Sequence, residues 1–209
     1  MALQDRLFNE VRMSCPGVTD EVIAHALWET LDDVCRDAWV WREAITIPLT
    51  AGNPTYTVAA PGAEVVYPFE ITHSSLDVSG AVYEFDKIVL ATSPAQGDVD
   101  AGPVYFTAVL APALPSGSDP ADTNPVGSNV EGWIPRDLWG LLHQTLTCGV
   151  KERLMAMPAK PWASAQMAAY WHRCYRSHKA IEKRRAQVGN RKHVITWTNP
   201  PFYVASRRK

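Results

Sequence analysis

The hydrophobic period of this chain changes twice, and that constrains its fold more than any other feature. Apolar residues recur at helical spacing up to Trp39, alternate in short runs between Ile45 and Leu110, and return to helical spacing from Leu138 onward. A period of two does not settle as a helix, and a period of 3.6 does not settle as a strand. The order is therefore helices, then strands, then helices. This predicts an α+β fold, in which a four-helix scaffold (two N-terminal and two C-terminal helices) carries an inserted antiparallel β-sandwich or barrel and ends in an extended C-terminal arm.

Boundaries follow from breakers. Leu3, Leu7, Phe8 and Val11 mark a first helix that stops at Cys15-Pro16-Gly17. Thr19 is the expected cap of a second, whose stripe runs Val22, Ile23, Ala26, Leu27, Leu31, Val34, Cys35, Ala38 and Trp39, with Asp32, Asp33, Arg36 and Asp37 on the solvated side. Strands are expected at 45–49, 56–58, 64–72, 81–85, 87–92 and 104–110, and loops at Ser93–Pro103 and Pro115–Ser128. Ile134-Pro135 opens a helix buried through Leu138, Leu141, Leu142, Thr145, Leu146, Val150 and Leu154. Ser164 caps a last one, expected to turn Met167, Tyr170, Trp171, Cys174, Tyr175, His178 and Ile181 inward until Gly189 stops it. The units are thus 1–43, a helical hairpin; 44–132, the β-insertion, with Ala44 and Gly132 close in space; 133–189, the second helical pair; and 190–209, the arm.

Charge is divided along the chain. Residues 1–172 hold 21 of the 22 acids and 9 of the 20 bases, whereas residues 173–209 set 11 bases against Glu182 alone. Within 44–132 the only base is Lys87, against ten acids. Phosphates need Lys and Arg, so nucleic acid is not expected to lie along the middle segment. No run is long and apolar enough for a membrane span, and the start lacks a basic leader followed by an apolar stretch. Four scattered cysteines read as reduced thiols in a cytoplasmic setting rather than as a disulfide framework or a zinc site.

Catalytic patterns are not found. Asp32 and Asp33 are adjacent and project about 100° apart on a helix. Cys174 and His178 have a spacing that suits a metal but lack a second pair, so they read as a core thiol beside a hydrogen-bonded imidazole. No phosphate-binding, dinucleotide, nucleophile-elbow or zinc-protease motif occurs, and no cofactor is expected. Trp28, Trp39, Trp41, Trp139 and Trp171 read as helical packing residues, and Trp162 as the plug of the last helical corner. Trp197 differs: it stands in the basic tail beside Phe202 and Tyr203, within a short alternating run that includes Val194 and Ile195. Large aromatics in such a tail suit binding anchors. Arg191, Lys192, Arg207, Arg208 and Lys209 would steer the tail to an acidic surface.

The order of parts carries a resemblance. Trp39-Val40-Trp41-Arg42-Glu43 ends the first hairpin, and Ile45-Thr46-Ile47-Pro48-Leu49-Thr50-Ala51-Gly52 leads to Tyr56-Thr57-Val58. The β-stretch ends at Gly132-Trp133-Ile134-Pro135, the next helix closes at Leu154-Met155-Ala156-Met157-Pro158-Ala159-Lys160-Pro161-Trp162, and a last helix carries Ala168-Ala169-Tyr170. Over roughly residues 3–188 the chain resembles the head-to-tail adaptor (connector, neck ring) proteins of tailed bacteriophages. The resemblance implies a structural virion protein, made in the host cytoplasm, that forms a homo-oligomeric ring, usually twelvefold, beneath the portal. It implies a C-terminal arm on the portal protein, here Arg191, Lys192, Val194, Ile195, Trp197, Phe202, Tyr203, Arg207 and Arg208. It implies a β-part toward a tail or nozzle protein, and DNA passing through the channel without sequence-specific binding. The long loops at 93–103 and 115–128 depart from the family pattern. The alternative, from the same eleven bases, is a nucleic-acid-binding protein with a basic arm, although Pro200-Pro201 suits a protein pocket better than a phosphate backbone.

Overall fold

The computed structural model describes residues 3–60, 62–84, 86–113 and 133–187. Within them the chain is α+β, with helices at both ends flanking a small antiparallel β-region. Helix α1 (Leu3–Ser14) and helix α2 (Asp20–Ala38) meet at the Pro16-Gly17 turn, where Gly17 takes φ 85°. Six strands follow: β1 (Arg42–Ile47), β2 (Thr55–Thr57), β3 (Ala63–Thr72), β4 (Val82–Glu84), β5 (Lys87–Val89) and β6 (Val104–Pro112), with a short helix α3 (Gln96–Asp100) before β6. Helices α4 (Arg136–Ala156) and α5 (Ala165–Gln187) complete the described chain.

Each expected strand is present, within a few residues of its expected ends. The strands do not close into a barrel. They form two three-stranded antiparallel sheets, β1-β6-β3 and β2-β5-β4. In the first, Ile45 and Ile71 flank Phe106 on the face that carries Ile47 and Val104. The Phe106 ring stacks on Tyr83 of β4 at 5.8 Å, so the core passes between the sheets. The described helices number five rather than four, because α3 occupies a segment expected as loop. It is a single turn in which the Asp98 carboxylate accepts the Ala95 N–H at 2.9 Å locally and the Ser75 hydroxyl, from the loop after β3, at 2.8 Å. A turn so short leaves no apolar period to read. Gly132 lies outside the described residues, as do the 115–128 loop and Gly189.

The helices join one core with the sheet. Residues Ile23, Ala26, Leu27, Leu31, Val34 and Cys35 of α2 are buried with Leu142, Leu146, Val150 and Leu154 of α4. Helix α2 also packs on β6, and the Trp41 carbonyl accepts the Leu110 N–H at 2.9 Å. Capping differs in detail from expectation. Thr19 is the N-cap of α2 without a side-chain bond, Pro135 stands at the N-cap of α4, and Ser164 Oγ accepts the Met167 N–H at 3.3 Å.

Three readings of helix faces are corrected. Trp39 and Trp41 are not helical: α2 closes at Trp39 in the left-handed region (φ 56°, ψ 38°), and Trp41 lies in the extended link to β1. Asp33 and Asp37 are not simply solvated, since they bind α5. Met167, Tyr170 and Ile181 face outward, whereas Tyr175, Glu182 and Ala186 face α5's neighbours. The reason lies in α4. Gly149 leaves room for the Tyr175 ring, since a Cβ there would stand 3.0 Å from its Cδ2 and Cε2. The aromatic ring therefore selects which of two apolar stripes of α5 is buried.

Candidate interaction surfaces

Helix α5 is fixed at its base by charge. The Tyr175 hydroxyl donates to Asp33, and the Lys179 ammonium donates to the same carboxylate at 2.9 Å. Lys179 and Lys183 each reach Asp37 at 3.0 Å, and Arg153 of α4 approaches Asp33 at 3.9 Å. Burial works to raise the pKa of Asp33, but the bonds from Tyr175 and Lys179 outweigh it, so the carboxyl sits below its usual range. The bonds from Lys183 and Lys179 lower Asp37 likewise. Burial, together with the Asp33 bond, pushes the Tyr175 hydroxyl well up. A polar groove of about 650 Å³ borders this network, lined by Asp33, Asp37, Glu152, Arg153, Lys179 and Lys183 among others. Its acids and bases are largely paired with one another, and this is a clamp on α5.

Glu182 stands further along α5 in less favourable surroundings. It is 4% exposed, Oε1 accepts from Arg185 at 2.7 Å, and Oε2 has no hydrogen-bond partner. Burial raises its pKa against the lowering effect of Arg185 and His178.

The arm residues Arg191, Lys192, Val194, Ile195, Trp197, Phe202, Tyr203, Arg207 and Arg208 lie outside the described residues. Ala186, in the last described turn of α5, lines a groove of about 360 Å³ with Trp39, Trp41, Arg42, Pro135 and Leu138.

Two uncovered surfaces were not foreseen from the sequence. The first is the face of the β1-β6-β3 sheet turned away from the core. Opposed residues in an antiparallel pair share a face, which puts Arg42, Val109 and Tyr67 in one row, Ala44, Thr107 and Glu70 in the next, and Thr46, Tyr105 and Thr72 in a third. Register shifts between Val65 and Tyr67 and between Pro68 and Glu70 mark irregularities of the kind that re-aim side chains. Trp39 stacks on Tyr67 with centroids 5.0 Å apart, and the Arg42 guanidinium lies 4.2 Å over Phe69. Beside them Val109 is fully buried yet separate from the main core. The second surface is the outer stripe of α5, with Met167, Tyr170 and Ile181 and the half-buried Cys174. Its spacing was legible, but hydrophobicity alone assigns such a stripe to the core.

Among the described residues, histidines and cysteines make contacts between elements. His172 meets Glu152 at 2.6 Å and His143 meets Glu10 at 3.3 Å, each as a bridge between elements or helices. Cys174 neighbours Cys148 and Tyr170, while His178 is near Glu182. Among the described residues no group of three or more His, Cys, Asp or Glu could hold a metal ion, and no helix is long and apolar enough to cross a membrane. Trp139 is buried, and Trp28, Trp162 and Trp171 are half-buried against neighbouring elements, with Lys151 Nζ 4.6 Å over the Trp171 ring. Compared with models of known families and with curated proteins, the chain matches none.

Proposed function

We propose that the protein is a structural, non-catalytic head-to-tail adaptor of a tailed bacteriophage: a neck ring that joins the portal to the tail and surrounds the DNA exit channel. The observation that carries this reading is the partition of charge over the fold. From Arg42 to Asp100 the β-region has eight acids and two bases, and every one of those acids except Asp98 is exposed. An acidic surface repels DNA and lets it slide, which is what a channel wall requires. Helix α5 has the opposite sign, six bases against one acid, and leads into the arm. The clamp of Asp33 and Asp37 on α5 supplies a rigid base for an arm that binds the portal.

The four exposed arginines of α5, Arg173, Arg176, Arg184 and Arg185, favour the rival reading of nucleic-acid binding. One experiment separates the two. Truncation after Gly189 should leave the subunit folded and abolish capture by purified portal rings. In the full chain, Trp197→Ala should cost about 2 kcal/mol of that binding. Normal capture of the truncated chain refutes the arm. Loss of DNA binding on truncation, with a steep salt dependence and intact capture, establishes the rival.

A further inference from the structure

Two surfaces of this subunit are apolar at the centre, opposite in charge at the rim, and left exposed. On α5, Met167, Tyr170 and Ile181 are 41%, 47% and 44% exposed. Positions 167, 170, 174 and 181 follow the three-four-seven spacing of a helix seam that expects a partner. Arg173 and Arg184 flank the stripe, and Arg185 beside it bonds Glu182. On the sheet, Tyr67, Phe69 and Tyr105 are 47%, 46% and 53% exposed. Glu70 stands on that face, and Asp98 and Asp100 lie on α3, just before the end where Tyr105 pairs with Thr72. Glu64, on the same face, is already paired with Arg36 of α2 at 2.7 Å, and Arg42 lies flat on Phe69.

We infer that the outer stripe of α5 docks on the outer face of the β1-β6-β3 sheet of a second copy of this chain. The inference rests on the adaptor reading in taking self-assembly as the chain's task, and adds which two faces meet. Charge complementarity selects the partner: Lys179 and Lys183 are taken up by Asp33 and Asp37, which leaves the helix the exposed Arg173, Arg176 and Arg184, and the sheet face with its α3 end brings the exposed Glu70 and Asp100. From Met167 to Ile181 the helix rises about 21 Å, so it overhangs the sheet between the Tyr67 row and the Tyr105 row, which runs about 14 Å. The same subunit cannot make this contact, because Tyr175, Lys179 and Lys183 hold the opposite side of α5 against α2. A helix stripe meeting a sheet face is a heterologous contact. Each added copy leaves one face of each kind free, and assembly ends only when the ring closes.

The test is native mass spectrometry and sedimentation of the full chain over a concentration series. Wild type should assemble with rising concentration. Ile181→Asp should raise the midpoint at least about thirtyfold. The pair Arg173→Glu with Arg184→Glu, and separately Glu70→Arg, should each raise it about tenfold or more. All four positions are exposed, so circular dichroism should be unchanged, and joining the two reversals in one chain should restore assembly. Rescue is a result that misfolding cannot produce. A wild type that stays monomeric at every concentration, variants that assemble as wild type does, or a combined variant weaker than either reversal would each overturn the inference. Portal capture is read separately. Capture by a chain whose assembly ignores these changes keeps the adaptor reading and discards these faces; charge-swap rescue without capture does the reverse.

Discussion

Replacing Gly149 by alanine should destabilise this protein, although the same change in an ordinary helix interior is favourable by about 1 kcal/mol. Gly149 sits in the middle of α4, where α2 and α5 both press close. An added Cβ would stand 2.4 Å from Thr30 Cγ2 and 3.0 Å from two carbons of the Tyr175 ring. Carbon atoms prefer about 3.5–4.0 Å, so α2 must move off by about 1 Å or Thr30 must rotate. Rotation is resisted: Thr30 is fully buried and its Oγ1 donates to the Ala26 carbonyl at 2.6 Å. Tyr175 is held by its bond to Asp33. Overpacking costs about 1–3 kcal/mol, and contact on two sides puts this case at the upper end. Subtracting the helix-propensity gain leaves a loss of about 1–2 kcal/mol, which lowers the melting temperature by several degrees in a chain of this size. Urea unfolding followed by circular dichroism measures it. Thr30→Ser provides the internal control. Alone it removes a buried methyl and costs about 1 kcal/mol; in the Gly149→Ala background it should recover stability, because the clashing carbon is gone. A higher melting temperature for Gly149→Ala, or strict additivity of the two changes, would refute the reasoning.

Three further outcomes follow from ionisation and burial. Asp33 and Asp37 titrate below their unfolded values, so their contribution is complete above about pH 4 and is lost as pH falls through the lowered folded values. Near-neutral stability of Asp33→Asn should drop by about 1 kcal/mol after allowance for solvent screening, and its acid unfolding should be shallower than that of wild type; identical acid limbs would contradict the clamp. Glu182 has the opposite sign: its folded pKa is raised, so wild type loses stability as pH climbs from about 4.3 through the raised value, and Glu182→Gln should lack that slope. Equal slopes in the two proteins would show that Glu182 is not desolvated. Among the thiols, burial raises Cys35 to about 12 and Cys148 to about 11, and Cys15 is fully buried, whereas Cys174 is half-exposed. A thiol reagent should therefore label one cysteine in native protein and four after unfolding, with Cys174→Ser removing the native signal. Native labelling of Cys35 would contradict the packing of α2.

The order of elements was legible in the sequence because hydrophobic period is local. Ile45, Ile47, Tyr56 and Phe106 announce strands, and Leu27, Leu31, Leu142 and Leu146 announce helices, whatever they later touch. The partition of charge between the β-region and α5 was legible for the same reason. Contacts across long sequence separations were not. Tyr175 bonds an aspartate 142 residues away, and that bond with the Gly149 gap decides which apolar stripe of α5 is buried and which is left exposed. The same holds for Trp39, whose left-handed backbone and stack on Tyr67 turn it from an expected core residue into part of an outer face. Periodicity counts apolar residues along one element. Only tertiary structure decides which of two comparable stripes finds a partner of matching shape within the same chain, because that depends on a small residue, a ring and a pair of charges brought together from distant elements.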